Sequence, residues 1–440
     1  MKAFLLQTHF RLQSFLRRLK VYPRLRLDIS FSDLAASLFS FLYFSNRKQQ
    51  IQEINSFWKS NKEVLVTLSV RTSLDLLLQS LNLPPGSEVL MSAVNIRDLV
   101  KIVKQHGLVP VPIDISLETL APELELAEPL ISEKTKIFIV AHLFGSIMDL
   151  KPYAQLCQKH KILLIEDCAQ AFVGSKYYGY EEADVSFFSF GPIKSCTALG
   201  GAVTLIQNKT LSEKMKNIEE QYPGKSEFWF LKRVLKYLGL KTLSIPWIYG
   251  YLLALLRFLG RDLDSAINSM TRGFSNGDIL LKLRFRPPNR MVFLLKRRLR
   301  KCNNKWFENR EIQARKFLSL LRHEISCPGS KAKWNSFWLI SLLAHNPESL
   351  MTILRENGFD ATRGNTSLTF IEDSRSDEQL MISNSLQAKH LIQYVLYLPV
   401  SEYLSEKEFV RLAKLVNEIG IKPEEKKNQT TYCEDCGSGL

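Results

Sequence analysis

The stretch from Ile162 to Ala202 constrains this chain more than any other. It opens with ILLIED, four apolar residues ending in Glu166 and Asp167. That is the pattern of a strand buried on both faces that delivers a carboxylate at its C-terminal edge, where α/β sheets bind ligands. After the tight turn expected at Gly179, a second strand pattern, Val185 to Phe190, carries Ser189. It leads through Gly191-Pro192 to Lys194, with Gly200-Gly201 behind. One carboxylate and one lysine should meet at one sheet edge.

Strand and helix patterns alternate from Glu63 onward. VLVTL at 64–68, EVLMSA at 88–93, VPVPID at 109–114, KIFIVAHL at 136–143 and ILLIED read as strands. Between them lie helix patterns at Thr72 to Leu81, up to His106, and through Cys157. This rhythm predicts an α/β fold with a mostly parallel sheet flanked by helices.

A paired lysine and carboxylate suit pyridoxal phosphate (PLP): the lysine holds the cofactor's aldehyde as a Schiff base, and the carboxylate keeps the ring nitrogen protonated. Alone, either residue is ordinary, a solvated charge or a strand-end cap. In context they are not: EDCAQA, then FSFGPIK and GGA, resembles the DegT/StrS family of PLP-dependent sugar aminotransferases, usually written EDAAQA, FSF-x-P-x-K and GGA. The resemblance implies the fold-type I architecture with a smaller C-terminal α+β domain. It implies Lys194 as the Schiff-base lysine and proton carrier and Asp167 as partner of the ring nitrogen. Gln170 falls beside the ring hydroxyl, Ser189 on the phosphate, and His142, in AHLFG, near the cofactor; the alternative for His142 is a satisfied core histidine.

The chain also departs from that family. Where Ser-Gly-Thr usually opens a helix that holds the phosphate, it has Ser69, Val70 and Arg71, then Thr72 and Ser73. Arg71 is expected to replace a neutral donor with a charge-assisted one; the alternative points it outward. The usual stacking aromatic is replaced by Ile96, which offers apolar contact only. Asn289 lies one place from the family's Asn-Tyr-Arg-Met pattern, so its role in a neighbouring subunit's site does not carry over directly.

Charge is unevenly placed. Of a net +15, residues 1–27 contribute seven Lys/Arg and no acid, and residues 225–301 seventeen against four acids, which leaves about −5 for the remainder. Basic residues interleaved with Leu, Phe and Trp fit a nucleic acid, an anionic membrane surface or acidic substrates; without a nucleic-acid motif, nucleic acid is not an expected partner. The N-terminal segment partly fits an amphipathic helix, with a helix packed on the subunit as the alternative, and lacks the apolar core and cleavage site of a secretory signal. Leu243 to Gly260 approaches spanning length but is interrupted by Pro246, Gly250 and Arg257, so an interfacial hairpin or helix pair is expected in preference to a crossing, with ordinary packing over the active site or a dimer contact as the alternative. Seven irregularly spaced cysteines argue for a reducing compartment, and Cys433-x-x-Cys436 has no second pair to complete a zinc site. No metal is expected, and the location expected is cytoplasmic, with peripheral membrane contact.

The expected division is a basic N-terminal segment at 1–48, a PLP-binding α/β domain at 49–222, a hydrophobic basic insertion at 223–286, a long helix from Met291 to about Leu321 with the small domain at 287–422, and a tail at 423–440. The leading expectation is transfer of an amino group, from glutamate, to a nucleotide-linked keto-sugar by a homodimer. Sugar dehydration or another PLP elimination is less favoured, because the family's dehydratases replace the lysine by histidine. A catalytically silent membrane-associated scaffold is the reading from another class, motivated by Val70, Arg71 and Ile96.

Overall fold

The computed structural model describes residues 20–24, 27–42, 46–260, 278–363, 368–373, 375, 385–399 and 404–419. The strands are β1 (Glu63–Thr67), β2 (Glu88–Ser92), β3 (Val94–Ile96), β4 (Val109–Ile113), β5 (Thr135–Ala141), β6 (Ser146–Ile147), β7 (Leu163–Asp167), β8 (Val185–Ser189), β9 (Ala202–Ile206), β10 (Trp334–Asn335), β11 (Ile340–Leu343), β12 (Leu368–Phe370) and β13 (Val395–Leu398). Seven of them form one sheet in the order β1-β9-β8-β7-β5-β2-β4. β9 runs antiparallel to both neighbours, and the other pairings are parallel.

Strand periodicity sorts the core. Alternate residues face opposite sides of a sheet, so Ile137, Ile139 and Ile165 pack with the helices Val70–Leu81, Arg97–Gln105 and Lys209–Gln221. Phe138, Val140 and Leu164 pack on the other side with the helix Lys151–His160. Toward β1 that second side is covered by Leu27, Leu34, Ile54, Phe230 and Met291, so described residues on both sides of Glu63 and beyond Pro223 belong to the main core. Beyond it, β11 and β13 pair antiparallel under the helices Asn304–Ser319, Pro347–Glu356 and Glu406–Ile419, enclosing Phe317, Leu342, Leu354 and Leu396. Tyr22 joins this second core, stacked on Phe359 at 5.6 Å.

Three expectations need correction. The long helix expected from Met291 to about Leu321 is two helices, Asn289–Arg300 and Asn304–Ser319. Asn303 starts the second by accepting the Lys305 N–H at 3.0 Å, an N-cap that competes with continued helix. WNSFWLISLLAH, whose sequence also reads as a single strand, is two: β10 pairs with β6, β11 pairs with β13, and Phe337 at φ 46° turns the chain between them. The helix expected from Thr72 begins two residues earlier, because Ser69 caps it through its hydroxyl, which accepts the Thr72 N–H at 3.2 Å. Residues 1–19 and 423–440, including Cys433 and Cys436, lie outside the described residues.

Candidate active site

Glu166 and Asp167 are consecutive at the end of β7 and therefore leave on opposite faces. Glu166, on the Leu164 side, is fully buried in a network. Its Oε1 accepts from His142 Nε2 at 2.8 Å and from the Tyr177 hydroxyl; its Oε2 accepts from the Tyr180 N–H at 2.9 Å and from the Ser186 hydroxyl at 2.7 Å. Burial pushes the carboxyl up, but the hydrogen bonds from His142, Tyr177 and Tyr180 outweigh it and hold Glu166 at about 2. His142 Nδ1 accepts the Met148 N–H at 3.4 Å, which places the ring proton on Nε2. Both ring nitrogens thus have partners, while the ring still lines the cavity described below. Cys168 lies beside this pair, with potential ligand atoms of all three within 4.8 Å of one another. Burial and Glu166 push its thiol well above the usual range, so it stays protonated.

Asp167 faces the other way and is 5% exposed. Its Oδ1 accepts the Ala169 N–H at 2.9 Å. Burial raises its pKa against the opposing pull of that bond and of Lys194. Lys194 is half-buried in the loop after β8, where its N–H donates to the Gly191 carbonyl at 3.0 Å. The loop is anchored from the N-terminal side, since Asp28 Oδ2 accepts the Cys196 N–H at 2.6 Å. Lys194 Nζ lies 4.3 Å from the ring centre of Trp338, whose indole N–H donates to the Ile193 carbonyl at 2.9 Å. Desolvation lowers the lysine to about 8; Asp167 opposes that shift and Arg71 adds to it. The lysine and carboxylate are therefore electrostatic neighbours, as their types suggested.

Gln170 and Asn95 complete the surroundings of Asp167. Gln170 Oε1 accepts the Phe144 N–H at 2.7 Å, which leaves its amide nitrogen as a donor. Asn95, Ile96, Ala141, His142, Asp167, Gln170 and Leu368 are among the residues around a cavity of about 10 Å³, room for one water. Leu368 belongs to β12, which pairs with β3 in the register Leu368↔Ile96 and closes the space. Among the other expected residues, Ser189 is half-buried, and its Oγ accepts the Gly191 N–H at 3.4 Å, leaving its proton to donate. The Thr72 hydroxyl donates to the Leu283 carbonyl at 3.0 Å and Ser69 caps its own helix, so the structure does not offer these hydroxyls to a phosphate as simply as the sequence suggested. Arg71 is ion-paired with Asp98 at 2.7 Å. Asn289 Oδ1 accepts from Arg47 at 3.2 Å.

Sequence reasoning missed Trp338, Leu368 and, apart from His142, the donors around Glu166. Trp338 and Leu368 come from beyond Ile325, and no local pattern marks them. Gly145, which φ +94° and a close approach require, brings the 336–338 segment in: a Cβ there would collide with Ser336 Oγ and lie 2.9 Å from the Trp338 nitrogen.

The donor set fits PLP: a buried carboxylate for a ring nitrogen, a lysine of lowered pKa for an aldehyde, an amide donor for a ring oxygen, and a free hydroxyl proton on Ser189 for a phosphate. A family model described as the DegT/DnrJ/EryC1/StrS aminotransferase family matches residues 45–240. The chain is 31% identical over 185 residues to GDP-perosamine synthase of Escherichia coli O157:H7, covering 41% of this chain and 50% of that one. It spans about half the length of such curated relatives, or less. Its fold is that of Helicobacter pylori PseC, an aminotransferase involved in pseudoaminic acid biosynthesis, with a TM-score of 0.66 at 17% identity over 91% of this chain and 99% of that one. A Streptococcus pneumoniae protein solved in a PLP form superposes with a TM-score of 0.64 at 16% identity, covering 91% and 98% of the two chains. Through residues 45–240, this chain is similar in sequence to the DegT/DnrJ/EryC1/StrS aminotransferase family.

Proposed function

We propose that the protein is a PLP-dependent aminotransferase that moves an amino group, from glutamate, onto a nucleotide-linked keto-sugar. The observation that carries this reading is the convergence of Asp167 and a lysine held at about 8 on one sheet edge. Bound here, PLP would supply an electrophilic aldehyde and a ring able to accept electrons. Asp167 would hold a proton on the ring nitrogen; its burial and its single Ala169 N–H bond keep a carboxylate oxygen for that partner. Lys194, partly neutral near pH 8, would bind the aldehyde carbon and, once displaced by the donor's amine, carry a proton between substrate and cofactor carbons. Ser189 would donate to the phosphate and Gln170 to the ring oxygen. Incubation with glutamate and GDP- or UDP-linked keto-sugars tests this: 2-oxoglutarate should form with Lys194 present and not in Lys194→Ala.

The closed space beside Asp167 and the committed Thr72 hydroxyl favour a second reading, a silent scaffold with this fold. Failure to take up PLP would select it. The proposed functional unit is a homodimer, on the family resemblance alone, and the division of the chain at 48, 222, 286 and 422 stands as part of the same proposal.

The proposed location is a cytoplasmic membrane face. Among the described residues no single helix is long and apolar enough to cross a bilayer. The helices Glu227–Leu243 and Pro246–Phe258 meet at a 91° bend. Trp247, Tyr251, Leu255 and Phe258 recur about once per turn on the second helix and are 42–87% exposed, while Tyr249 and Leu253 are buried. Lys232 and Lys236 are exposed on the first helix. The Val21 N–H donates to the Pro246 carbonyl at 3.2 Å, which ties the first described residues to the start of the second helix. Aromatic and apolar side chains beside lysines match an anionic lipid surface. Flotation with phosphatidylserine vesicles should carry the protein, weakly at high salt, and Trp247→Ser/Leu255→Ser should abolish it; equal flotation with neutral vesicles would count against the charge argument.

A further inference from the structure

We infer that Asn95 is a ligand-binding residue of this site, its side-chain amide donating to the ring oxygen of the bound cofactor alongside Gln170. The inference rests on the PLP reading and adds a contact that reading does not need. Asn95 sits on β3 and is 1% exposed. Its Oδ1 accepts the Ile96 N–H at 2.7 Å. A peptide N–H can only donate, so the atom facing it must be the oxygen, and the orientation of the amide is fixed. Its Nδ2, a donor of two protons, has no partner among the described residues.

Buried polar groups are almost always paired, so an exception needs a cause. Among the buried side-chain atoms without a partner in the described residues, this is the one whose residue lines the cavity holding Asp167 and Gln170. Loose packing is not that cause: on the opposite face of the same strand ends, Glu166 is satisfied by four donors. Gln170 presents its amide nitrogen to the same space, because Phe144 holds its oxygen. Two N–H donors beside one carboxylate complement a heteroaromatic ring with an anionic oxygen near its protonated nitrogen. Asp167 is the competing acceptor for Asn95, but it is already bonded to Ala169 and faces Lys194.

The test uses cofactor-free full-length protein, titrated with PLP and followed by visible absorbance and tryptophan fluorescence, for the parent, Asn95→Ala and Asn95→Ser; melting temperatures are measured without cofactor. Asn95→Ala should weaken PLP binding about tenfold and displace the visible band, while its cofactor-free melting temperature changes little, since removal of the unpaired amide nitrogen offsets loss of the Oδ1 bond to the Ile96 N–H. Asn95→Ser, which keeps a donor, should recover part of the affinity. Parental affinity and spectrum in Asn95→Ala would overturn the inference. So would a fall in melting temperature that accounts for the weaker binding, with no recovery in Asn95→Ser. If the parent takes up no PLP by either signal, the cofactor reading itself has failed and this inference falls with it.

Discussion

Lys194 should titrate well below an ordinary lysine. Its amine is desolvated against Trp338 and held at about 8, against an ordinary 10.5. At pH 8 about half of it is then neutral, whereas an ordinary lysine is neutral in about 0.3% of molecules, so its reactivity toward an aldehyde should be about 150-fold higher. The assay is reductive trapping of a small aromatic aldehyde by the cofactor-free protein between pH 6 and 11, with the modified peptides quantified by mass spectrometry and exposed lysines as internal reference. The neighbours set the sign of two controls. Asp167 raises the lysine's pKa, so Asp167→Asn should move the midpoint below that of the parent; Arg71 lowers it, so Arg71→Met should move it upward. A parental midpoint near 10.5, or one that neither substitution moves, would refute the electrostatic account of this pair.

Two further outcomes follow from the same geometry. Glu166→Gln should destabilise the fold by about 3 kcal/mol at pH 7 in urea denaturation, because it breaks a fully buried charge network. Since the folded pKa of Glu166, about 2, lies below its ordinary 4.5, its contribution is complete above pH 4.5 and disappears as pH falls through 2, so parent and variant should converge in acid. Leu368→Ala should speed PLP uptake several-fold by loosening the closure over Ile96, with a cost of about 1 kcal/mol in stability for a half-buried leucine; unchanged uptake would show that β12 does not limit entry.

The sheet and the chemistry-bearing pair were legible because they lie in continuous patterns. ILLIED is a doubly buried strand with its carboxylates at the end, and the lysine follows the next strand by a few residues. What could not be read is where the two carboxylates go. Strand alternation dictates opposite faces, but only the structure shows that His142 follows Glu166 and that Asp167 is left to Lys194. Trp338 and Leu368 reach the site through long-range pairing of β12 with β3 and of β10 with β6, about which local sequence says nothing. The helix expected from Met291 to Leu321 failed on one competing local bond at Asn303. The surroundings of the phosphate end were not legible for a similar reason: the Thr72 hydroxyl donates to the carbonyl of Leu283, more than two hundred residues away.

The measurement that tests the central claim most directly is the visible absorption spectrum of the purified protein with added PLP, beside Lys194→Ala, before and after glutamate. A band present in the parent, absent in the variant and shifted by glutamate would establish cofactor, lysine and donor together. No band at any PLP concentration would contradict the aminotransferase account and leave the fold as a scaffold.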